Sequence, residues 1–324
     1  MSKLSQALQE TAEAEQVALK DLLYFNYRFK DVRDISVLRP LKKIKYLDLI
    51  GNDIHDISPL EQLVDIELLN LNYSKISDLA PLKNMVKLEQ LDLIDNQIQD
   101  ISILKNLPAL TRLNLAYNPL NDVNPLYRMT NLEGLDIGAI PAIKDFSFLE
   151  NHIHLKTLSL YDNHLVDIAF LKPLQKMNWL CLNYNAISDI SSLVHLQALD
   201  FLWFTGNPDC DFAPLQDLPK LTRLTIQENK IQDISFLQKL TNLEDVSLDD
   251  NEIEDCSPIQ YLSQLKTLWL SNNKVSDLSP LLKLNNLKEL NVAGNLVTEA
   301  DEIVKKLTAR GVKVNLAGSR CSLD

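Results

Sequence analysis

The sequence predicts a single α/β solenoid, in which a unit of about 22 residues is repeated along a chain of 324 residues. The first observation is an apolar anchor that recurs in a fixed register. The second is another apolar residue two positions after nearly every anchor, and the third is a pair of polar columns that keep the same register. Several columns with one period are typical of stacked repeats, in which each repeat packs on its neighbours.

The anchor column defines thirteen repeats, separated by steps of 22 residues and one step of 23. Its members are Phe25, Leu47, Leu69, Leu91, Leu113, Leu135, Leu158, Leu180, Leu202, Leu224, Val246, Leu268 and Leu290. The second apolar column places Leu49, Leu71 and their equivalents on the same face as the anchor. Alternation of this kind predicts a short strand with one buried face in each repeat.

The two polar columns predict turns. Ten repeats carry an Asn five residues after the anchor, as at Asn52 and Asn96, and its amide can serve buried backbone groups of adjacent turns. Twelve repeats carry an Asp later in the unit, as at Asp189. Stacked carboxylates would repel by about 1 kcal/mol per pair even in water, so we expect each to accept backbone N–H bonds at a short helical turn. A metal ladder is the disfavoured alternative, because only one ligand comes from each repeat.

The pattern LxxLxLxxN followed by xIxDIxxL resembles the internalin-type leucine-rich repeats of bacteria, over about residues 25–298. It is also similar to the leucine-rich-repeat regulatory subunit of the nuclear type-one protein phosphatase. The resemblance implies a leucine-rich-repeat horseshoe, with a concave parallel β-sheet and short 3₁₀-like turns on the convex side. The chain departs from surface internalins because it has no apparent secretion signal, wall-sorting tail or immunoglobulin-like segment.

Four segments are expected. Residues 1–24 are predicted to form an N-terminal helical cap, and residues 25–298 the leucine-rich repeats, in twelve to thirteen units. Residues 299–316 read as a C-terminal cap helix with an edge strand, because an acidic start, a basic end and Gly311 bound a helical pattern. Residues 317–324 are predicted to be a flexible tail. One repeat places Asp209 where the others bury Ile, Val or Leu, which indicates either sequence drift or a bend.

Residues beside the strand leucines are predicted to point into the concave hollow, where the core does not dictate their identity. Six aromatic residues fall at or near such positions: Tyr161, Trp179, Tyr184, Phe201, Trp203 and Trp269. Because strands lie about 4.8 Å apart, four of them should form one aromatic patch. Those four are Tyr161, Trp179, Phe201 and Trp203, whereas Trp269 lies three strands further on, at about 14 Å. Exposed aromatic patches mark interaction sites; alternatively, the rings cover one another or lie under a loop.

Charged residues are sorted between the two sides of the repeat. Acidic residues fall on or beside the strand face, and Asp162, Asp245 and Asp249 are assigned to the binding surface with the aromatic residues. Lysines such as Lys105 and Lys239 fall late in their repeats, on the turn side. An acidic face with aromatic anchors predicts a protein partner whose surface is basic and partly apolar. The alternative is a solvated face without a binding role.

Composition excludes other classes of function. The net charge of −12 argues against nucleic acid, and no run of about 18 apolar residues predicts a membrane span. The N-terminus has no apolar segment of the kind that a secretory signal needs, and the four cysteines are scattered along the chain. Both observations predict a cytoplasmic location. No phosphate-binding loop, nucleophile motif or cluster of metal ligands is found, so no enzyme activity, cofactor or metal is expected.

The sequence therefore predicts a non-enzymatic scaffold that engages, and inhibits or recruits, a protein partner through an aromatic, acidic-rimmed concave face. We expect a monomer when the partner is absent. One alternative is a carbohydrate or small-ligand receptor on the same face, which a pocket with converging polar groups would favour. Another is an effector exported into a host cell without a cleaved signal.

Overall fold

The computed structural model describes residues 2–208, 210–299 and 301–317. Asp209, at which the sequence indicated drift or a bend, lies outside these residues, as do residues 318–324 of the predicted tail. The chain divides into two compact units, Met1–Asn163 and His164–Asp324.

The first unit begins with helix α1, Lys3–Ala14, whose buried residues are Leu4, Leu8 and Ala12. Ser2 caps the helix by accepting the backbone N–H of Ser5 through its side chain. Seven strands follow: β1 (Tyr24–Asn26), β2 (Tyr46–Asp48), β3 (Leu68–Asn70), β4 (Gln90–Asp92), β5 (Arg112–Asn114), β6 (Gly134–Asp136) and β7 (Thr157–Ser159). Each strand pairs in parallel with the next, anchor opposite anchor, as in Leu47 with Leu69.

Within its described residues, the second unit repeats this arrangement with seven further strands. They are β8 (Trp179–Cys181), β9 (Phe201–Trp203), β10 (Arg223–Thr225), β11 (Asp245–Ser247), β12 (Thr267–Trp269), β13 (Glu289–Asn291) and β14 (Lys313–Asn315). All pair in parallel in chain order. Helix α2, Glu302–Ala309, lies between β13 and β14 and buries Val304 and Leu307.

Short 3₁₀ helices connect successive strands up to β13; one further 3₁₀ helix, Leu19–Asp21, precedes β1, and α2 connects β13 to β14. In the first unit they span Leu19–Asp21, Ser36–Leu38, Ser58–Leu60, Ala80–Leu82, Leu104–Asn106, Asn124–Arg128 and Ser147–Asn151. In the second unit they span Ala169–Leu171, Ser191–His195, Ala213–Asp217, Ser235–Lys239, Ser257–Tyr261 and Ser279–Lys283. Parallel strands joined by 3₁₀ turns confirm the predicted solenoid within each unit.

The Asn column satisfies buried backbone groups between repeats. The amide of Asn52 donates to the carbonyls of Leu49 and Tyr27, both at 2.7 Å, and its oxygen accepts the N–H of Val32 at 3.1 Å. Asn118 makes the equivalent bonds three repeats further on. These side chains lie in the core because unpaired backbone groups there would be costly.

The Asp column holds the 3₁₀ turns, as the sequence predicts. Oδ1 of Asp189 accepts the backbone N–H of Ser191 at 2.8 Å, at the first residue of the turn. All twelve carboxylates accept the N–H two residues ahead. These backbone bonds lower the pKa of several of them, including Asp189 and Asp277. The bonds from backbone N–H groups therefore stabilise the charged carboxylates and offset their mutual repulsion.

Candidate functional site

The sheet presents one buried and one open face in every repeat. In β9 the anchor Leu202 is fully buried, whereas Phe201 and Trp203 on either side are half-buried. The side-chain alternation of a strand explains this arrangement, because the core takes only the central residue. In β8 and β9 the half-buried residues beside the anchors, Trp179, Phe201 and Trp203, therefore form a surface that a ligand can reach.

Three aromatic side chains of the second unit meet on this open face. Trp179, Phe201 and Trp203 are here called the aromatic cluster. The ring centroids are 5.2 Å apart for Phe201 and Trp203, 5.6 Å for the two tryptophans, and 6.1 Å for Trp179 and Phe201. All three pairs are edge-to-face contacts, the geometry that aromatic rings prefer over a face-to-face sandwich. The parallel register brings them together, because Trp179 lies opposite Phe201 and Cys181 opposite Trp203.

Arg223 extends the cluster, although the sequence analysis did not single it out. Its guanidinium carbon lies 4.6 Å from the centroid of the Phe201 ring, within cation–π range. It also pairs with Asp200, with 3.3 Å between Nη2 and Oδ2. The available signal was its position directly before the anchor Leu224, the same position that Trp179 and Phe201 occupy in their repeats.

Tyr161 and Tyr184 make other contacts, each within its own unit. Tyr161 belongs to the first unit, where its ring centroid is 5.5 Å from that of Tyr117. Tyr184 follows β8 in a turn with a positive φ of 53°, and its ring covers Gly206 of the next repeat. A Cβ at Gly206 would lie 2.6 Å from the Tyr184 ring, so the glycine makes room for that side chain. Tyr184 is therefore a turn residue and stands outside the strand.

Trp269 lies on the open face of β12 but apart from the cluster. The register places Thr225 opposite Trp203, Ser247 opposite Thr225, and Trp269 opposite Ser247. The three strand spacings predicted between the two tryptophans are thus confirmed by the pairing. Both intervening residues are small and buried.

The three predicted acidic residues have different environments. Asp245 is half-buried on β11, directly across from Arg223. Asp162 is exposed, in a turn of the first unit with a φ of 52°. Asp249 is only 4% exposed, and its Oδ1 accepts both the N–H and the hydroxyl of Ser271 at 2.7 Å. Burial raises the pKa of Asp249, so this carboxyl supports the turn and does not form part of an exposed rim.

The open face of the first unit has a polar row after the anchors. Asp48, Asn70, Asp92, Asn114 and Asp136 lie opposite one another on consecutive strands. An amide between each pair of carboxylates separates the charges by two strand spacings, about 9.6 Å. Burial raises the pKa of Asp92 and Asp136, and the Asn114 amide donates to Asp136 at 3.2 Å.

The described residues also bear on metal binding and on membrane insertion. No group of three or more His, Cys, Asp or Glu side chains there could hold a metal ion. Within the same residues, no helix is long and apolar enough to cross a membrane.

The repeats and the fold match known proteins. A family model for leucine-rich repeats (two copies) matches residues 86–128, 219–261 and 263–305. An internalin of Listeria monocytogenes, InlF, is 30% identical, with a TM-score of 0.80 over 98% of this chain and 95% of that chain. A leucine-rich-repeat protein of Leptospira interrogans is 22% identical, with a TM-score of 0.72 over 92% of this chain and 85% of that one.

A third solved structure shares the fold alone. The plant peptide hormone receptor RGFR1, in complex with RGF2, is 18% identical, with a TM-score of 0.59 over 86% of this chain and 52% of that chain. No curated protein matches the chain at a significant level. The likeness to the Listeria protein extends over nearly all of both chains.

Proposed function

Because the chain belongs to the leucine-rich-repeat proteins of the internalin type, we propose that it is a non-enzymatic scaffold that binds a protein partner. Repeat folds of this kind offer an extended surface for recognition. The proposed contact surface is the aromatic cluster of the second unit. Binding there would inhibit the partner or recruit it.

The observation that carries this proposal is the position of the cluster. Leu180 and Leu202 fill the core beneath it, so the stacking of the repeats does not require the three rings. Trp and Tyr dominate binding hot spots because they bury a large apolar area with few rotatable bonds. A half-exposed group of two tryptophans and a phenylalanine is therefore best explained as a surface to be covered.

The charges around the cluster favour a basic, partly apolar partner. Arg223 is engaged by Asp200, and Lys266 pairs with Glu244 at 2.5 Å, so both cations have acidic partners. Asp245 lies opposite Arg223 on β11. The chain as a whole has a net charge of −12. This balance repels nucleic acid and attracts a basic surface. We propose that the protein is a monomer in the absence of this partner.

The test is a comparative capture experiment from native lysate. Wild-type protein, Trp203→Ala and Lys239→Ala are immobilised, and the retained proteins are quantified by mass spectrometry. Lys239 is an exposed residue of a 3₁₀ turn in the same unit, so it is a matched surface control. We expect one protein to be retained by wild type and Lys239→Ala and depleted on Trp203→Ala. Equal retention on all three would contradict the proposed surface.

A further inference from the structure

A second exposed aromatic row lies in the first unit, on the turns that follow the strands. The residue four positions after each anchor has a positive φ, between 52° and 70° from Phe29 to Asp162. We call these positions the turn column. In the first unit they are occupied by Phe29, Gly51, Tyr73, Asp95, Tyr117, Ala139 and Asp162. Left-handed backbone is costly for bulky residues, so three aromatic residues there are unexpected.

These three rings are spaced regularly and face solvent. Phe29 is 65% exposed, Tyr73 49% and Tyr117 52%. They occur in alternate repeats, so their backbone positions are two strand spacings apart, about 9.6 Å. The Phe29 ring lies over Gly51, where a Cβ would come within 2.2 Å of the ring. The glycine at this position therefore leaves room for the Phe29 ring over the next repeat.

A cleft opens between the first two rings. Its volume is about 510 Å³, and Phe29 and Tyr73 are both among its lining residues. Gly51, Asp53, Ser74 and Lys75 also line it. The cleft therefore combines aromatic walls with groups that donate and accept hydrogen bonds, as ligand sites usually do.

One residue that lines the cleft, Ser74, interrupts the Asn column. Ser74 stands where Asn52 and Asn96 stand in the neighbouring repeats, five residues after the anchor. It is 8% exposed, and its hydroxyl oxygen has no hydrogen-bond partner. A buried hydroxyl without a partner is costly. The shorter side chain also leaves space that an Asn amide fills in those two repeats.

The charged groups of the cleft balance one another. Asp53 accepts from Arg33 through one oxygen and from Lys75 through the other, both at 2.6 Å. The bond from Lys75 lowers the pKa of Asp53, so the carboxyl is ionised at neutral pH. Two cations, Arg33 and Lys75, line the cleft, and the carboxylate of Asp31 balances the positive charge that Asp53 alone does not. The cleft thus offers paired donors and acceptors without a net charge, which suits a neutral ligand rich in hydroxyl groups.

We propose that this cleft and its aromatic row bind an extended, neutral β-1,4-linked glycan. A gluco-configured sugar ring has a flat C–H face that stacks on an aromatic ring, and its hydroxyls pair with carboxylate, guanidinium and hydroxyl groups. In such a glycan every second sugar presents the same face, at a repeat similar to two strand spacings, about 9.6 Å. The rings of Phe29, Tyr73 and Tyr117 would stack on every second sugar, with one ring on each of these sugars. The site is independent of the aromatic cluster.

Calorimetric titration with cellohexaose tests this proposal. Wild-type protein should bind it, and maltohexaose, in which α-1,4 links coil the chain, should bind at least about tenfold more weakly. Tyr73→Ala should weaken cellohexaose binding by about tenfold. Tyr261→Ala, an equally exposed tyrosine in the second unit, and Trp203→Ala should leave it unchanged. Circular dichroism of each variant verifies that it is folded.

The Ser74→Asn variant separates the cleft from general surface binding. It restores the Asn column, so it should raise the melting temperature, while the amide fills the base of the cleft and weakens cellohexaose binding. No heat of binding from wild type, or equal binding of maltohexaose, would overturn the proposal. So would full affinity in Tyr73→Ala or Ser74→Asn. Loss of protein-partner capture in Tyr73→Ala, with no glycan binding by wild type, would instead assign the cleft to the protein interface.

Discussion

Replacing Asn118 with alanine tests whether the Asn column holds the repeats together. Asn118 is 3% exposed; its oxygen accepts the Ile98 N–H at 3.0 Å and its amide donates to the Leu115 carbonyl at 3.0 Å. Alanine would leave both backbone groups buried without these partners, at about 1–3 kcal/mol each. The amide bond to the Leu93 carbonyl counts less, because Asn96 also donates to that oxygen. We therefore expect a loss of roughly 2–6 kcal/mol in the free energy of unfolding.

Urea unfolding followed by circular dichroism measures this loss. Asn121→Ala is the matched control, because Asn121 is an exposed residue of the same repeat whose amide bonds to the side chain of Gln99. It should change the unfolding free energy by less than about 0.5 kcal/mol. Asn118→Ser should be nearly as unstable as Asn118→Ala, since the hydroxyl of Ser74 finds no partner at the same place in its repeat. If Asn118→Ala unfolds at the wild-type urea midpoint, the column does not stabilise the stack.

Two further predictions concern stability. Asp189→Ala should lower the melting temperature through the lost turn bond and leave partner affinity unchanged. Because bonding lowers the pKa of the folded Asp189 carboxyl from 3.8, its contribution should be complete above that value and disappear as pH falls through the lowered pKa; acid titration of the melting temperature checks this. The second is that EDTA and dithiothreitol should leave the melting temperature unchanged, because Cys210 and Cys256 are free thiols and no group of three or more His, Cys, Asp or Glu among the described residues could hold a metal ion. A drop of several degrees in either reagent would contradict that.

The repeat could be predicted from sequence because its columns report backbone geometry directly. Leucine at the anchor and two residues later requires a strand with one buried face, and both Leu47 and Leu49 are buried. Asp189 had to be a turn residue, because twelve stacked carboxylates need N–H donors. The pairing of Trp179 with Phe201 also followed from the period, since parallel strands in register bring equivalent positions together.

The other features of the candidate site depend on side-chain rotamers and turn conformations, which the repeat period does not determine. Asp249 and Asp245 lie four residues apart, yet only Asp249 turns inward to bond Ser271. The positive φ of the turn column could not be predicted from residue type. Glycine occupies the column at Gly51 and Gly206, but Tyr73 and Tyr184 adopt the same backbone conformation. Arg223 was missed because its role over Phe201 depends on where its long side chain extends.

The most direct test of the central claim is the affinity of the captured partner for two cluster variants, measured by titration calorimetry. Trp179→Ala and Trp203→Ala should each weaken binding by roughly 2 kcal/mol or more. Both should retain the wild-type circular dichroism spectrum, because Leu180 and Leu202 form the core beneath them. Lys239→Ala should bind as wild type does, and added salt should slow association with a basic partner. If folded Trp179→Ala and Trp203→Ala bind the partner at wild-type affinity while Lys239→Ala does not bind it, the partner binds the turn side of the repeats. The aromatic cluster is then not the binding surface.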